Sequence, residues 1–237
     1  MLDEIKAYIF DLDDTLYEEM QFVRFGMKEV CAYLGEKHGF DMEKLYKSCM
    51  EILSESGRGK TYDILCDRYG IKEDIPGLVK IYRGIKPGLT LYEDAKKFLE
   101  YLKQRNLKTG IITDGNAAVQ NSKIDGLGLR DKIDSIVVTD MLKTAEGKGA
   151  AKPEREVYLS CINELGVSAN EAVYIGDNPR KDFIGARSIG MKTVRIVRPG
   201  GMFVNEKPEK GYEADFEINL LTELINDQVT GKQDLNL

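Results

Sequence analysis

The sequence predicts an α/β fold, with a parallel sheet covered by helices on both faces and an all-helical insertion after the first strand. Three observations lead to this prediction. The short apolar segment Ala7–Phe10 has the length and composition of a buried strand. From Glu18 to about Gly84, the chain shows only amphipathic helical patterns. After Pro87, apolar strands alternate with helices, which is typical of a parallel sheet buried on both faces.

The insertion is recognised by apolar residues three and four positions apart, as in Phe22–Val30. Three or four such helices fit before Lys86-Pro87-Gly88 interrupts the pattern. We therefore expect a core domain built from residues 1–16 and 87–237, and a helical cap domain spanning residues 17–86.

The remaining elements follow in alternation. A helix is predicted around Leu91–Gln104, and another over Glu154–Leu165. Short apolar, β-branched segments predict the other strands. These are Lys108–Thr113, Ser135–Val138, Ala172–Ile175, Thr193–Val197 and the weaker Phe216–Ile218.

Composition excludes several classes of function. The 237 residues carry a net charge of −6 with a pI near 5.1, and the basic residues are scattered. Because nucleic-acid binding depends on clustered Lys and Arg, we expect no nucleic-acid partner. His38 is the single histidine, which rules out a zinc site of the two-His H-E-x-x-H type. It lies in a Lys-His-Gly helix ending, where a structural role is expected.

Location and redox state are predicted from what the sequence lacks. The cysteines have no C-x-x-C or zinc spacing, no secretory signal follows Met1, and no apolar run approaches the ~20 residues needed to cross a bilayer. We expect a cytoplasmic protein with reduced thiols and no membrane partner. The sequence leaves its oligomeric state open.

Reactive groups follow the predicted strands at their carboxyl ends, where ligands of open α/β sheets bind. Asp11-Leu12-Asp13-Asp14-Thr15 follows the first strand, Thr113-Asp114-Gly115 ends the second, and Gly176-Asp177 opens a G-D-x-x-x-x-D stretch that closes with Asp182. Lys152-Pro153 opens a helix between them. Carboxylates that converge at one edge repel one another, and Mg²⁺ is the natural cation to balance them.

These four motifs, in this order, resemble those of the haloacid dehalogenase superfamily. The resemblance covers nearly the whole chain and is closest to phosphatases whose helical cap is inserted between the first and second motifs. D-x-D-x-T directly after an N-terminal strand is its strongest sign, whereas T-D-G and K-P are weak alone. The resemblance implies a Rossmann-like core and a Mg²⁺-dependent phosphomonoesterase acting on a small phosphorylated metabolite. Sugar phosphates, phosphoglycolate and nucleoside monophosphates are all candidate substrates.

The resemblance also implies roles for single residues. Asp11 would be the nucleophile that forms an aspartyl-phosphate, and Asp13 the general acid and then the base. Lys152 would neutralise charge during phosphoryl transfer. Asp182 would support the metal ligands or orient Lys152. The phosphoryl group would be held by Thr113 and the backbone N–H groups of Asp114 and Gly115, and Mg²⁺ by Asp11, Asp177 and the backbone carbonyl of Asp13.

Two questions stay open at this stage. The stretch from Thr139 to Lys152 is longer than the family pattern, so Lys143 or Lys148 could replace Lys152. The activity also has rivals, namely a dehalogenase or phosphosugar mutase of the same superfamily, or a non-enzymatic phosphoacceptor module. A dehalogenase needs no acid at position 13, and a phosphoacceptor has no reason for a helical insertion.

Overall fold

The computed structural model describes residues 4–143 and 147–225. The chain divides into two compact units, one formed by Met20–Gly88 and the other by the chain up to Glu19 and from Leu89 onward. The predicted cap spans residues 17–86, whereas the structural division lies at Met20 and Gly88.

The inserted unit is all-helical, with no strand among residues 20–88. Its helices pack around a shared apolar core that includes Val30, Leu34, Leu45 and Leu65. His38 contacts Glu73 through Nε2 at 2.8 Å inside this unit. The helices are α1 (Met20–His38), α2 (Met42–Ser56), α3 (Thr61–Tyr69) and α4 (Ile75–Arg83), with a 3-10 turn at Arg58–Lys60.

The other unit is built on a six-stranded parallel sheet in the order β3-β2-β1-β4-β5-β6. This arrangement confirms the predicted α/β class. The first strand of the sequence lies inside the sheet, and both strands that pair with it come after the helical insertion in the chain. The strands are β1 (Ala7–Phe10), β2 (Lys108–Thr113), β3 (Ser135–Val138), β4 (Ala172–Gly176), β5 (Lys192–Ile196) and β6 (Phe216–Ile218).

The strands of this unit alternate with helices, as the sequence predicts. One of these helices, α7 (Arg155–Leu165), packs against the sheet. Its residues Val157, Tyr158 and Cys161 belong to an apolar cluster that also contains the strand residues Ile9 and Ile112. No described helix has the length and apolar content required to cross a membrane. The helices are α5 (Glu93–Gln104), α6 (Ala117–Gly126), α7 (Arg155–Leu165) and α8 (Ile184–Ser188).

Candidate active site

The central position of β1 brings three of the sequence motifs to one edge. Phe10 pairs with Ile111 of β2 on one side and Ile175 of β4 on the other. The backbone N–H of Asp11 donates to the Ile175 carbonyl at 2.8 Å, which extends this register past the end of β1. The strand register therefore places Asp11 between the ends of β2 and β4, where Thr113 and Asp177 lie.

Lys152 is the lysine that reaches this edge. Its Nζ lies 2.6 Å from Asp11 Oδ1, 2.9 Å from Asp182 Oδ1 and 3.0 Å from the Tyr174 hydroxyl. The side chain of Lys152 is fully buried, and burial alone lowers its pKa, but the charges of Asp11 and Asp182 raise the pKa well above its ordinary value. Lys143 and Lys148, the alternatives open from sequence, are exposed.

Close backbone packing fixes the segment that carries Lys152. The Lys152–Pro153 peptide bond is cis. Gly185 of α8 lies directly against the Pro153 carbonyl oxygen, in space that a Cβ atom would occupy. A second glycine has a similar role, because a Cβ at Gly176 would meet the Asp182 carboxylate. Side-chain-free positions in two elements thus permit the approach of Lys152 and its partner Asp182.

Asp11, Asp177 and Asp182 form an acidic cluster, each offering a carboxylate oxygen within 4.8 Å of the others. The carboxylate of Asp182 is engaged at both oxygens, by Lys152 Nζ at Oδ1 and by the Asn178 N–H at Oδ2. For the Asp177 carboxylate, the described residues supply no hydrogen bond or ion pair. Within the described part of the chain, Asp177 is thus the member of the cluster whose carboxylate stays available to a ligand.

The cluster is electrostatically unbalanced. Burial raises the pKa of Asp11 to about 6 even though Lys152 opposes the rise. Burial, together with the charges of Asp11 and Asp182, raises the pKa of Asp177 to about 9. One ammonium group therefore does not compensate three buried carboxylates, and a further positive charge would relieve the repulsion.

Asp13 has a separate environment. Lys123 Nζ lies 2.8 Å from both carboxylate oxygens, Tyr17 Oη donates to Oδ1 at 2.6 Å, and Gln120 Nε2 donates to Oδ2 at 3.1 Å. Burial raises the pKa of Asp13, but the Lys123 charge and these hydrogen bonds outweigh it and hold the pKa below its ordinary value. Asp13 is thus held as a carboxylate.

The turn after β2 is fixed by its own side chains. Thr113 is buried and its hydroxyl accepts a hydrogen bond from Gln120. The Asp114 carboxylate accepts from the Thr139 hydroxyl at 3.0 Å and pairs with Lys181 Nζ at 2.6 Å. The sequence assigns Asp114 a backbone role only, and these side-chain contacts are an additional finding of the structure. Gly115 has a φ of 132°, which favours glycine.

Several residues of this site were not recognised from the sequence. Gln120 and Lys123 are three positions apart on α6, and this pair of polar residues on one face, just after T-D-G, was the available signal. Lys181 lies within the G-D-x-x-x-x-D stretch. Tyr17 was considered a cap-side residue, but it belongs to the core unit and contacts Asp13. Tyr174 is a strand residue whose hydroxyl reaches Lys152.

The family of this chain follows from its similarity to known proteins. A family model described as haloacid dehalogenase-like hydrolase matches residues 8–196. The chain belongs to this family. The predicted superfamily and the predicted hydrolase class are therefore confirmed, and the matched residues include Asp11, Lys152 and Asp177.

The curated relatives of this haloacid dehalogenase-like hydrolase include phosphatases. Glyceraldehyde 3-phosphate phosphatase of Methanocaldococcus jannaschii is 32% identical over 230 residues, covering 94% of this chain and 96% of the relative. Ribulose-1,5-bisphosphate 5-phosphatase of Halopiger xanaduensis is 30% identical over 251 residues, covering 93% and 98%. Among solved structures, the HAD phosphatase from Thermococcus onnurineus is 29% identical with a TM-score of 0.60, covering 94% of this chain and 98% of that one.

Proposed function

We propose that this chain is a Mg²⁺-dependent phosphomonoesterase that hydrolyses a small phosphorylated metabolite through an aspartyl-phosphate on Asp11. The observation that carries this proposal is the contact between two buried groups, Lys152 Nζ and Asp11 Oδ1, in the acidic cluster that also contains the Asp177 carboxylate. A carboxylate nucleophile, a fixed ammonium and an acidic cation site are the parts that this type of phosphoryl transfer requires.

The donor set fits Mg²⁺. Asp11 and Asp177 offer carboxylate oxygens, and the backbone carbonyl of Asp13 would add a third hard ligand, whereas no His or Cys belongs to the described acidic cluster. Bound Mg²⁺ supplies positive charge that offsets repulsion among the carboxylates and the phosphoryl oxygens. Asp182 is the least suited to bind the ion because Lys152 and the Asn178 N–H already occupy its oxygens.

In the first step, an Asp11 oxygen attacks phosphorus, the new Asp11 O–P bond forms, and the bond to the leaving alkoxide breaks. Lys152 stays beside Asp11 and compensates the negative charge that spreads over the transferring group. The Thr113 hydroxyl and the backbone N–H groups of Asp114 and Gly115 would hold the phosphoryl oxygens. Asp13, after taking up a proton, transfers it to the leaving alkoxide.

In the second step, Asp13 is a carboxylate again and accepts a proton from water. The water oxygen attacks phosphorus, releases inorganic phosphate and restores Asp11. The exposed fraction of the Asp13 side chain, 22% against 9% for Asp11, gives this residue access to a leaving group or water. The lowered pKa of Asp13 keeps the residue ionised, which is the form that can accept a proton from water, and the acid role requires that Asp13 is first protonated when substrate binds.

The named activities of two relatives support an order in which substrates should be tested. Glyceraldehyde 3-phosphate and ribulose 1,5-bisphosphate, named in the relatives' activities, are both phosphorylated sugars with few carbons. We propose sugar phosphates of this kind as the first substrates to test, ahead of phosphoglycolate and nucleoside monophosphates. The fold itself does not select among them, so the choice is assigned to residues outside the four motifs.

A phosphatase assay tests this proposal. The purified chain is incubated with a panel of phosphorylated metabolites and with p-nitrophenyl phosphate, in Mg²⁺ or EDTA. We expect release of phosphate that requires Mg²⁺ and disappears in Asp11→Asn. Undiminished turnover in metal-stripped protein would contradict the metal requirement. Transfer of phosphate between sugar positions without net release would favour the mutase, and a stable phosphoprotein without turnover would favour the phosphoacceptor.

A further inference from the structure

Lys123 is a buried lysine that the mechanism above does not use. Its side chain is only 5% exposed. Because a lysine is seldom buried without a charged partner, this burial calls for one. Its Nζ lies 2.8 Å from each oxygen of Asp13 and 3.8 Å from Glu19 Oε1. The Lys123 ammonium group therefore contacts both oxygens of the Asp13 carboxylate equally, and the Glu19 carboxylate lies near it.

The contacts of Asp13 are saturated. A carboxylate has about four lone-pair positions, and Asp13 accepts four hydrogen bonds, two from Lys123 and one each from Tyr17 and Gln120. These donors come from two elements, because Tyr17 follows β1 and the other two lie on α6. Each oxygen of the carboxylate therefore has two donors, Lys123 and Tyr17 at Oδ1 and Lys123 and Gln120 at Oδ2.

The four contacts are unequal. The longest is the 3.1 Å bond from Gln120 to Oδ2, and the same Gln120 amide also donates to the Thr113 hydroxyl. Gln120 therefore retains an acceptor when it leaves Asp13. Lys123 and Tyr17 still bind the carboxylate after that contact opens, and Oδ2 gains a free position for a proton-bearing group.

We propose that Lys123 is a positioning residue that fixes the Asp13 carboxylate in its reactive orientation, with Oδ2 as the oxygen presented to the leaving group and to water. The inference rests on the proposed function, because Lys123 acts only through Asp13, the acid and base of that function. Lys123 itself has no contact with substrate in this proposal. Tyr17 shares the task at Oδ1. A lysine that merely attached α6 to the turn after β1 would affect stability and leave turnover per folded molecule unchanged.

A double-mutant cycle separates these cases, since residues that act as a unit are not additive. We compare wild type, Lys123→Met, Asp13→Asn and the double variant, using p-nitrophenyl phosphate and the best metabolite substrate. Lys123→Met should lower kcat about 10–100-fold, within the range of general acid–base effects, and change KM less than about threefold. In the Asp13→Asn background, the same substitution should change kcat less than about twofold.

The controls address folding and charge. Lys97→Met removes an exposed lysine of the same unit and should leave kcat unchanged. Lys123→Arg keeps a cation and should retain more activity than Lys123→Met, and methylammonium ions should restore part of the kcat of Lys123→Ala but not of Asp13→Asn. If Lys123→Met does not fold, Lys123→Gln replaces it in the cycle.

The outcomes are distinguishable. Two results would overturn this inference and leave the proposed function standing, provided that the wild type is active. One is an unchanged kcat in Lys123→Met, and the other is a loss of kcat in the double variant equal to the product of the two single losses. A wild-type protein that releases no phosphate from any substrate would overturn the proposed function, and this inference with it.

Discussion

The Pro153 carbonyl oxygen lies where a Cβ atom of Gly185 would be, so the backbone of the turn that carries Lys152 packs closely against the start of α8. A Cβ at position 185 would also lie 2.6 Å from Tyr158 Cε2. This contact has two consequences for Lys152. It limits how closely the turn that carries Lys152 can approach α8. It also leaves no space for a side chain at position 185, and a small rotamer change of a neighbour would not create that space.

Gly185→Ala should therefore destabilise the protein and displace Lys152. Overpacking of this kind typically costs about 1–3 kcal/mol. We expect a lower free energy of unfolding in urea and a fall in kcat larger than the fraction of unfolded protein explains. Gly59→Ala is the matched control, because a Cβ there has no atom within 4 Å. Equal stability and activity of Gly185→Ala and wild type would contradict the proposed constraint.

The acidic cluster predicts how stability depends on pH without metal. Asp11 and Asp177 have pKa values of about 6 and about 9, above the ordinary 3.8, so the folded state binds more protons than the unfolded state between these limits. Stability in EDTA should fall as pH rises from about 4 to about 9. Asp13 and Asp114, whose pKa values are lowered, contribute the opposite slope only below their ordinary range.

Mg²⁺ should remove this loss, because it favours the ionised carboxylates. We expect the rise in Tm caused by Mg²⁺ to be larger at pH 8.5 than at pH 5.5, measured by thermal denaturation. Asp177→Asn should weaken the Mg²⁺ effect and flatten the pH dependence in EDTA above pH 6. A Mg²⁺ shift of the same size at every pH would show that these carboxylates are not the ligands.

Substitutions at Asp11 and Asp13 should have different kinetic outcomes. Asp11→Asn removes the nucleophile, so neither turnover nor a phosphoenzyme should be detected. Asp13→Asn keeps the nucleophile but removes the acid and base, each typically worth ~10²–10⁴-fold. With an activated aryl phosphate, whose leaving group hardly needs a proton, the acyl phosphate on Asp11 should accumulate in Asp13→Asn and survive a rapid acid quench. Label on another residue would overturn the assignment.

The helical unit should govern substrate choice. Arg24 is exposed on α1, whereas the nearby Phe22 is buried and packs edge-on against Tyr82 at 5.6 Å. Arg24→Ala should change kcat/KM for individual metabolites several-fold, and change p-nitrophenyl phosphate turnover less than about twofold, because remote contacts supply the binding energy for selectivity. A uniform loss on all substrates in folded protein would contradict this prediction.

Most of the fold was accessible from sequence because the strands are short, apolar and separated by amphipathic helices. Phe216–Ile218, the weakest pattern, still forms a strand at the sheet edge. The residues of the three strand ends were accessible for the same reason, since parallel strands bring their carboxyl ends together. Which of three lysines enters the site depends on the path of a turn packed against Gly185, and local sequence does not encode that path.

Lys123 and Gln120 escaped prediction for a different reason. A lysine on a short helix usually lies in solvent, and the contact of Lys123 with Asp13, 110 positions earlier in the chain, accounts for its burial. Tyr174 likewise reads as an ordinary strand residue until Lys152 is placed beside it. Partnerships between residues so distant in sequence leave no periodic signal.

The central place of β1 also constrains how the protein is made. A ribosome synthesises β1 first, but its two neighbours, β2 and β4, end at Thr113 and Gly176. The helical unit is a compact unit of consecutive residues, and all of it is synthesised while β1 is still unpaired. Asp11 is therefore synthesised before the residues that surround it, and its acidic cluster is complete only after Asp182 has been translated. The proposed nucleophile is thus made before the groups that would neutralise and orient it.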